Sequence, residues 1–249
     1  DLKNVIIDQN TAIHDGGGLF AWSSIGTMTN VSITKNTTIA PFPFSTGVAA
    51  FIKNSIITMK RCHIADNSSE TAFNTVDVDS STVNIINSNI VRNTVYGGAG
   101  ILSYNTGYFL IVNSIIYDNE HINEDLAGGY GILPNAFIWS GGEGFGPGTG
   151  VIWYSDVKDG WTGTGNIDAD PLFVDANNGD YTLQEDSPCI DTGTADLDGV
   201  IDDIDYLGAA PDMGAFESEY SSVSEISVSY NTGWNMVGLP LEVEDAHYQ

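Results

Sequence analysis

Leu2-Lys3-Asn4-Val5-Ile6-Ile7-Asp8-Gln9-Asn10 starts on an apolar residue, has Asn two places on, alternates apolar side chains and closes on a second Asn. The pattern returns at 28–36, 59–67, 85–93 and 111–119, with closing residues Asn10, Asn36, Asn67, Asn93 and Asn119. The intervals between them are 26, 31, 26 and 26 residues. A fixed period with one polar residue type at one phase is the mark of a solenoid, whose units pack only on their neighbours. One unit orders too many residues for the few side chains it buries, so stacking is obligatory.

The units are β, because the apolar residues come in short runs rich in Val, Ile and Thr with two-residue alternation and no sustained helical period. The alternation places Val5 and Ile7, Val31 and Ile33, Cys62 and Ile64, Ser88 and Ile90, and Ser114 and Ile116 at equivalent inward positions. A second strand is expected after each closing Asn, around 19–22, 48–51, 76–78 and 101–104. The five extra residues of the long interval point to Ala40-Pro41-Phe42-Pro43-Phe44 as a projecting loop, since proline is excluded from a central strand. The closing asparagines are expected at sharp turns, in left-handed backbone geometry, with their amides stacked from coil to coil. A second Asn series runs through Asn4, Asn30, Asn87 and Asn113 and is interrupted by Arg61.

On these repeats, over about residues 1 to 140, the chain resembles the right-handed parallel β-helix proteins, the architecture of pectate lyases, polygalacturonases and many bacterial surface proteins. The resemblance implies a fold and leaves the activity open.

Charge divides the chain. Residues 1–119 carry eight acidic and six basic side chains, whereas residues 120–249 carry 25 acidic and one basic, Lys158. Little here could neutralise phosphates, so a nucleic-acid partner is excluded. A negative field of this size favours divalent cations or simple solubility. No run of about 18 apolar residues is present to span a membrane. Cys62 and Cys189 lie far apart without metal-ligand spacing and read as buried thiols. The chain opens inside a repeat and stops within a strand-like pattern, so a piece of a longer protein is expected.

The second half has motifs of its own: Gly163-Thr164-Gly165-Asn166-Ile167-Asp168-Ala169-Asp170-Pro171-Leu172-Phe173, Gly179-Asp180-Tyr181-Thr182-Leu183, Ser187-Pro188-Cys189-Ile190-Asp191-Thr192-Gly193 and Asp212-Met213-Gly214-Ala215-Phe216-Glu217. In this order they resemble the C-terminal end of bacterial β-helix proteins of the choice-of-anchor Q type. That resemblance implies a secreted or cell-surface protein with a capping segment and an anchoring module, and it brings no catalytic residues. The tail from Ser224, with Ile226, Val228 and Tyr230 alternating before Asn231-Thr232-Gly233, resembles the first hairpin of the sandwich modules that follow such helices.

Between the last motifs lies an acidic insertion with a partial match to an EF-hand-type loop. Asp196, Asp198, Val200 and Asp205 fall at ligand positions three, five, seven and twelve, with Gly199 at the sharp turn, while Thr194 is a poor first ligand. A structural calcium ion is one reading and a solvated acidic turn the other. For catalysis, a glycosidase needs carboxylates on one face, and a lyase needs a base with cationic groups or calcium. Asp202-Asp203 is the one adjacent Asp pair, Lys60-Arg61 the one close pair of cations on the coils, and His63 beside Arg61, with Tyr104 one face away, forms the best constellation there. His14, His121 and His247 are scattered, and Gly16-Gly17-Gly18 and Gly97-Gly98 lack the rest of a phosphate loop, so they read as coil corners. Exposed aromatics among Phe20, Trp22, Phe42, Phe44, Phe51, Tyr104 and Tyr108 could stack on sugar faces, although filling the core is the competing use.

The sequence therefore predicts an all-β chain: a right-handed parallel β-helix over 1–150, a C-terminal cap with an acidic insertion over 151–221, and the start of a β-sandwich module over 222–249. It predicts a monomeric, non-catalytic, secreted or cell-surface stalk for adhesion or binding of polysaccharide or cell-surface glycan, with possible structural calcium at Asp196, Asp198, Val200 and Asp205. The alternative is a polysaccharide lyase or glycoside hydrolase of the pectate-lyase-like class.

Overall fold

The inward positions named above form the axis of a column. Val31, Ile33, Cys62, Ile64, Ser88, Ile90, Ser114 and Ile116 are all buried in the computed structural model of the chain, which describes residues 1–39, 47–97, 100–123, 135–138, 146–197 and 205–220. Val5 and Ile7, in the first coil, are half-buried. The Ala-Pro-Phe-Pro-Phe loop and the 222–249 module lie outside the described residues.

Among the described residues the strands of successive coils pair parallel and in register. The first sheet stacks β3 (Leu19–Trp22), β6 (Ala50–Lys53), β9 (Val76–Asp79), β13 (Ile101–Tyr104) and β17 (Ala136–Ile138). The second stacks β4 (Ile25–Thr34), β7 (Ile56–Lys60), β10 (Thr82–Ile86), β14 (Tyr108–Val112) and β18 (Thr149–Trp153). A third face carries β8 (His63–Ala65), β11 (Asn89–Val91), β15 (Ile115–Tyr117) and β19 (Asp156–Val157). The long strand β4 runs through both the second and third faces, and β1 (Leu2–Asp8) pairs with it from Leu2 opposite Met28 to Asp8 opposite Thr34, while short pairs join β2 (Thr11–Ala12) to β5 (Thr37–Thr38) and β12 (Thr94–Val95) to β16 (Glu120–His121).

Bends between the faces rest on left-handed residues, and their position corrects the expectation for the closing asparagines. Gln9, Lys35, Asp66, Arg92 and Asp118, each one place before a closing Asn, have φ of 52–55°. That kink turns the following Asn inward, where its amide satisfies the turn. Asn36, Asn67 and Asn93 are fully buried, and each donates both its backbone N–H and its Nδ2 to Oδ1 of the next Asn at 2.8–3.2 Å. Among the described residues the ladder runs from Asn10 to Asn135, a member outside the repeat period. In the second Asn series the left-handed conformation is shared by Asn4, Asn30, Arg61, Asn87 and Asn113, so Arg61 keeps the bend but breaks the side-chain ladder.

A serine ladder lines the neighbouring bend. The N–H groups of Cys62, Ser88 and Ser114 donate to Oγ of Ser88, Ser114 and Ser155 at 3.0–3.1 Å, and each serine hydroxyl returns a bond to the carbonyl two residues back. A second one joins Ser24, Ser55 and Ser81. Side chains here do for the bends what the sheet does for the strands, leaving few buried amides unsatisfied.

Near the C-terminal end of the column a small residue meets a large one. Gly150 stands opposite Phe109, and a Cβ at Gly150 would come within 2.4 Å of the ring, so the larger residue is accommodated by the smaller one. Trp161 packs against this last layer, 6.2 Å from Phe109, and closes the core.

From there the chain turns back along the outside. The hairpin of β20 (Phe173–Asp175) and β21 (Asp180–Leu183), followed by Cys189, Ile190 and Met213, buries an apolar seam on Ala65, Val91 and Ile115 of the third face. The composition of that face anticipates the cover. At the outward register positions the bare first coils carry Asp8 and Thr34, and the covered ones carry Ala65, Val91 and Tyr117. Asn89 Oδ1 accepts the Ala215 N–H, and Asn87 Nδ2 donates to the Asp212 carbonyl, fixing the strap in place. The segment is thus a cap at the column's end and a strap along its side.

Candidate functional site: the outer face of the first sheet

In a strand, alternate residues face opposite sides. In Leu19-Phe20-Ala21-Trp22, Ala50-Phe51-Ile52-Lys53, Val76-Asp77-Val78-Asp79 and Ile101-Leu102-Ser103-Tyr104, Ala21, Ile52, Val76, Val78 and Ile101 belong to the core. The alternate positions form two outward columns. One runs Phe20, Phe51, Asp77, Leu102 and the other Trp22, Lys53, Asp79, Tyr104, with neighbours in register from coil to coil.

The face is open at its first coil and closes towards its middle. Phe20 and Trp22 are 49% and 57% exposed, whereas Phe51, Asp77, Asp79 and Tyr104 are buried. Phe20 lies 6.1 Å from Trp22 and 5.4 Å from Phe51, ring centre to ring centre, and Lys53 Nζ sits 5.8 Å from the Trp22 ring and 6.0 Å from the Phe51 ring. That ammonium pairs with Asp79 Oδ2 at 2.7 Å, while Asp79 Oδ1 accepts from the Ser80 hydroxyl and the Asn105 amide. Asn74 Nδ2 donates to Asp77 Oδ1 at 2.8 Å. Chemically this is an aromatic platform beside a charged, hydrogen-bonding floor. Sequence reasoning named the aromatics but missed Asp77 and Asp79. The signal was the alternation in Val76-Asp77-Val78-Asp79, which puts both carboxylates on one side of one strand.

The constellation of Arg61, His63 and Tyr104 is not brought together. Tyr104 belongs to the first sheet and His63 to the third face. His63 is 7% exposed, beneath Tyr181 at 4.5 Å and Phe216 at 5.5 Å. Burial lowers its pKa to about 4 against an opposing pull from Asp66, so it is neutral at ordinary pH. Tyr181 donates to Asp66, whose other oxygen pairs with Arg92 at 3.5 Å, and Arg61 donates to the Asp205 carbonyl. These groups clamp the strap to the column. Asp202 lies outside the described residues, as do Asp203, Phe42, Phe44 and His247.

Asp156, fully buried, holds the other end of the strap. It accepts the Ala169 N–H and the Cys189 thiol, and burial pushes its pKa up to about 6 despite the Ala169 bond. Burial raises the Cys189 thiol as well, and Cys62 is pushed up to about 11, so both are inert free thiols.

The acidic insertion is described only at its ends. Asp196 and Asp205 are exposed, and the Asp196 N–H donates to Thr194 Oγ1 in a local turn. Asp198 and Val200 lie outside the described residues. Among the described residues no group of three or more His, Cys, Asp or Glu side chains is gathered as a metal site. No helix there is long and apolar enough to cross a membrane.

Comparison with known proteins gives one match. The family model described as "Right handed beta helix region" matches residues 2–144, more than half of the chain. No curated protein and no solved structure matches.

Proposed function

This chain belongs to the right-handed β-helix family, and from that premise we propose that it is a non-catalytic, secreted or cell-surface stalk that binds polysaccharide or cell-surface glycan on the outer face of its first sheet. The observation that carries the proposal is the exposed Phe20–Trp22 pair beside the Lys53–Asp79 ion pair, on parallel in-register strands. Aromatic faces next to polar groups suit the apolar sides of sugar rings and their hydroxyls. The groups with strongly shifted protonation, His63 and Asp156, are committed beneath the strap instead. Incubation with neutral and acidic polysaccharides followed by mass spectrometry is expected to give no shortened products. Oligosaccharide release would overturn the non-catalytic reading.

A second reading, glycoside hydrolysis, rests on Asp77 and Asp79, two carboxylates on one face of one strand. It predicts that Asp79→Asn and Asp77→Asn abolish any product release.

Calcium at Asp196, Asp198, Val200 and Asp205 is proposed as a structural addition. With calcium at about 100 times its dissociation constant, the folded state gains about 2.7 kcal/mol. The expected result is a rise in melting temperature that Asp196→Asn together with Asp205→Asn removes; an unchanged midpoint in millimolar calcium would sink the idea.

A further inference from the structure

We propose that the ligand of the first-sheet face is a neutral hexopyranose polymer, not a uronate-bearing or sulfated one; the inference rests on the glycan-binding reading and names its substrate class. The five strands of the face carry one basic residue, Lys53, against two acidic ones, Asp77 and Asp79. The single cation is already neutralised at 2.7 Å by Asp79. A sugar carboxylate or sulfate competing for Lys53 would have to strip it from Asp79, whose side chain is 4% exposed, and so strand a buried charge. Beyond the face, the chain's formal net charge of -26 repels any polyanion during approach.

A neutral chain meets none of these penalties. Phe20 and Trp22, the two exposed rings of the face, lie 6.1 Å apart, ring centre to ring centre, and present a stacking surface to a pyranose ring. The exposed faces of Phe20 and Trp22 match the C–H side of such a ring. An ammonium carries three donors, and the Asp79 bond takes one, so Lys53 can also donate to hydroxyls without giving up its partner.

The test is binding of the whole chain to immobilised hydroxyethylcellulose, xyloglucan and galactomannan, and in parallel to polygalacturonate, alginate and dextran sulfate, at low and high salt. The expected result is retention by at least one neutral polymer, unchanged by salt and weakened about fivefold or more by Trp22→Ala or Phe20→Ala. Both side chains are about half exposed, so the variants should melt with the wild type. Salt-sensitive retention by the polyanions alone would overturn the neutral class while leaving glycan binding intact. Retention by none of the six would overturn the glycan reading and this inference with it.

Discussion

Asn93→Ala is expected to lower the unfolding free energy by about 3–5 kcal/mol, among the largest effects available to a single substitution in this chain. Asn93 is fully buried. Its Oδ1 accepts two bonds from Asn67, and its Nδ2 reaches Asn119 Oδ1 and the carbonyls of Ile64 and Val91. Truncation removes the acceptor for two buried donors and the donor for buried carbonyls, and each orphaned group costs about 1–3 kcal/mol, not fully additively. At about 2–4 °C per kcal/mol for a chain of this size, the melting temperature should fall by roughly 10 °C. Asn93→Asp should be at least as damaging, because it keeps the acceptor for Asn67 but loses every donor and introduces a buried charge. Thermal and guanidinium melts decide the matter. A loss below about 1 kcal/mol would mean that the sheets alone hold the coils together.

The second large effect is a pair of opposed pH dependences under the strap. His63 has a folded pKa of about 4, below the ordinary value near 6.5. As pH falls the unfolded chain takes up this proton first, so the stability His63 contributes is complete above about pH 6.5 and lost by about pH 4. Asp156 runs the other way. Its folded value of about 6 lies above the ordinary 3.8, so its contribution is complete below about pH 3.8 and lost as pH rises through 6. Each swing is worth about 3 kcal/mol, and over the shared window the two offset each other. Wild-type stability should therefore change little from these groups between about pH 4 and pH 7. His63→Gln should gain stability relative to wild type as the pH falls, and Asp156→Asn should gain it as the pH rises. Urea melts of the three proteins across that range provide the check. Parallel curves for all three would show that neither group titrates beneath the strap.

The column was legible because its cause is local and repeated. Alternating Val and Ile name the inward face, and a closing Asn every 26 residues names the period. The placement of the left-handed residue was not legible. Gln9, Lys35, Asp66, Arg92 and Asp118 share no side-chain type, only a position before an Asn that must face inward. Ser88 and Ser114 were read as inward-facing residues, and a backbone N–H on the preceding coil gives each serine its reason to be there, a partner that exists only after stacking. Asp77 and Asp79 were passed over because carboxylates were sought as an adjacent pair or at one phase of successive coils. An ion pair across coils, Lys53 to Asp79, needs only one of each. The strap was the least visible feature. Its motifs read as a terminal cap, and the counterpart signal, the change from Asp8 and Thr34 to Ala65 and Val91 along one outward column, lies in coils far upstream.

The asparagine ladder also gives the column a direction. From Asn10 to Asn135 each rung donates to the next, and no bond in the series points back. Aligned amides polarise one another, so the line behaves as a wire of dipoles, with carbonyl oxygen presented at the Asn10 end. A further rung can join that end only by offering an N–H, as the upstream side of another such coil does not. Two copies related by a two-fold axis there would set oxygen against oxygen. Head-to-tail addition is the one polarity the chemistry permits.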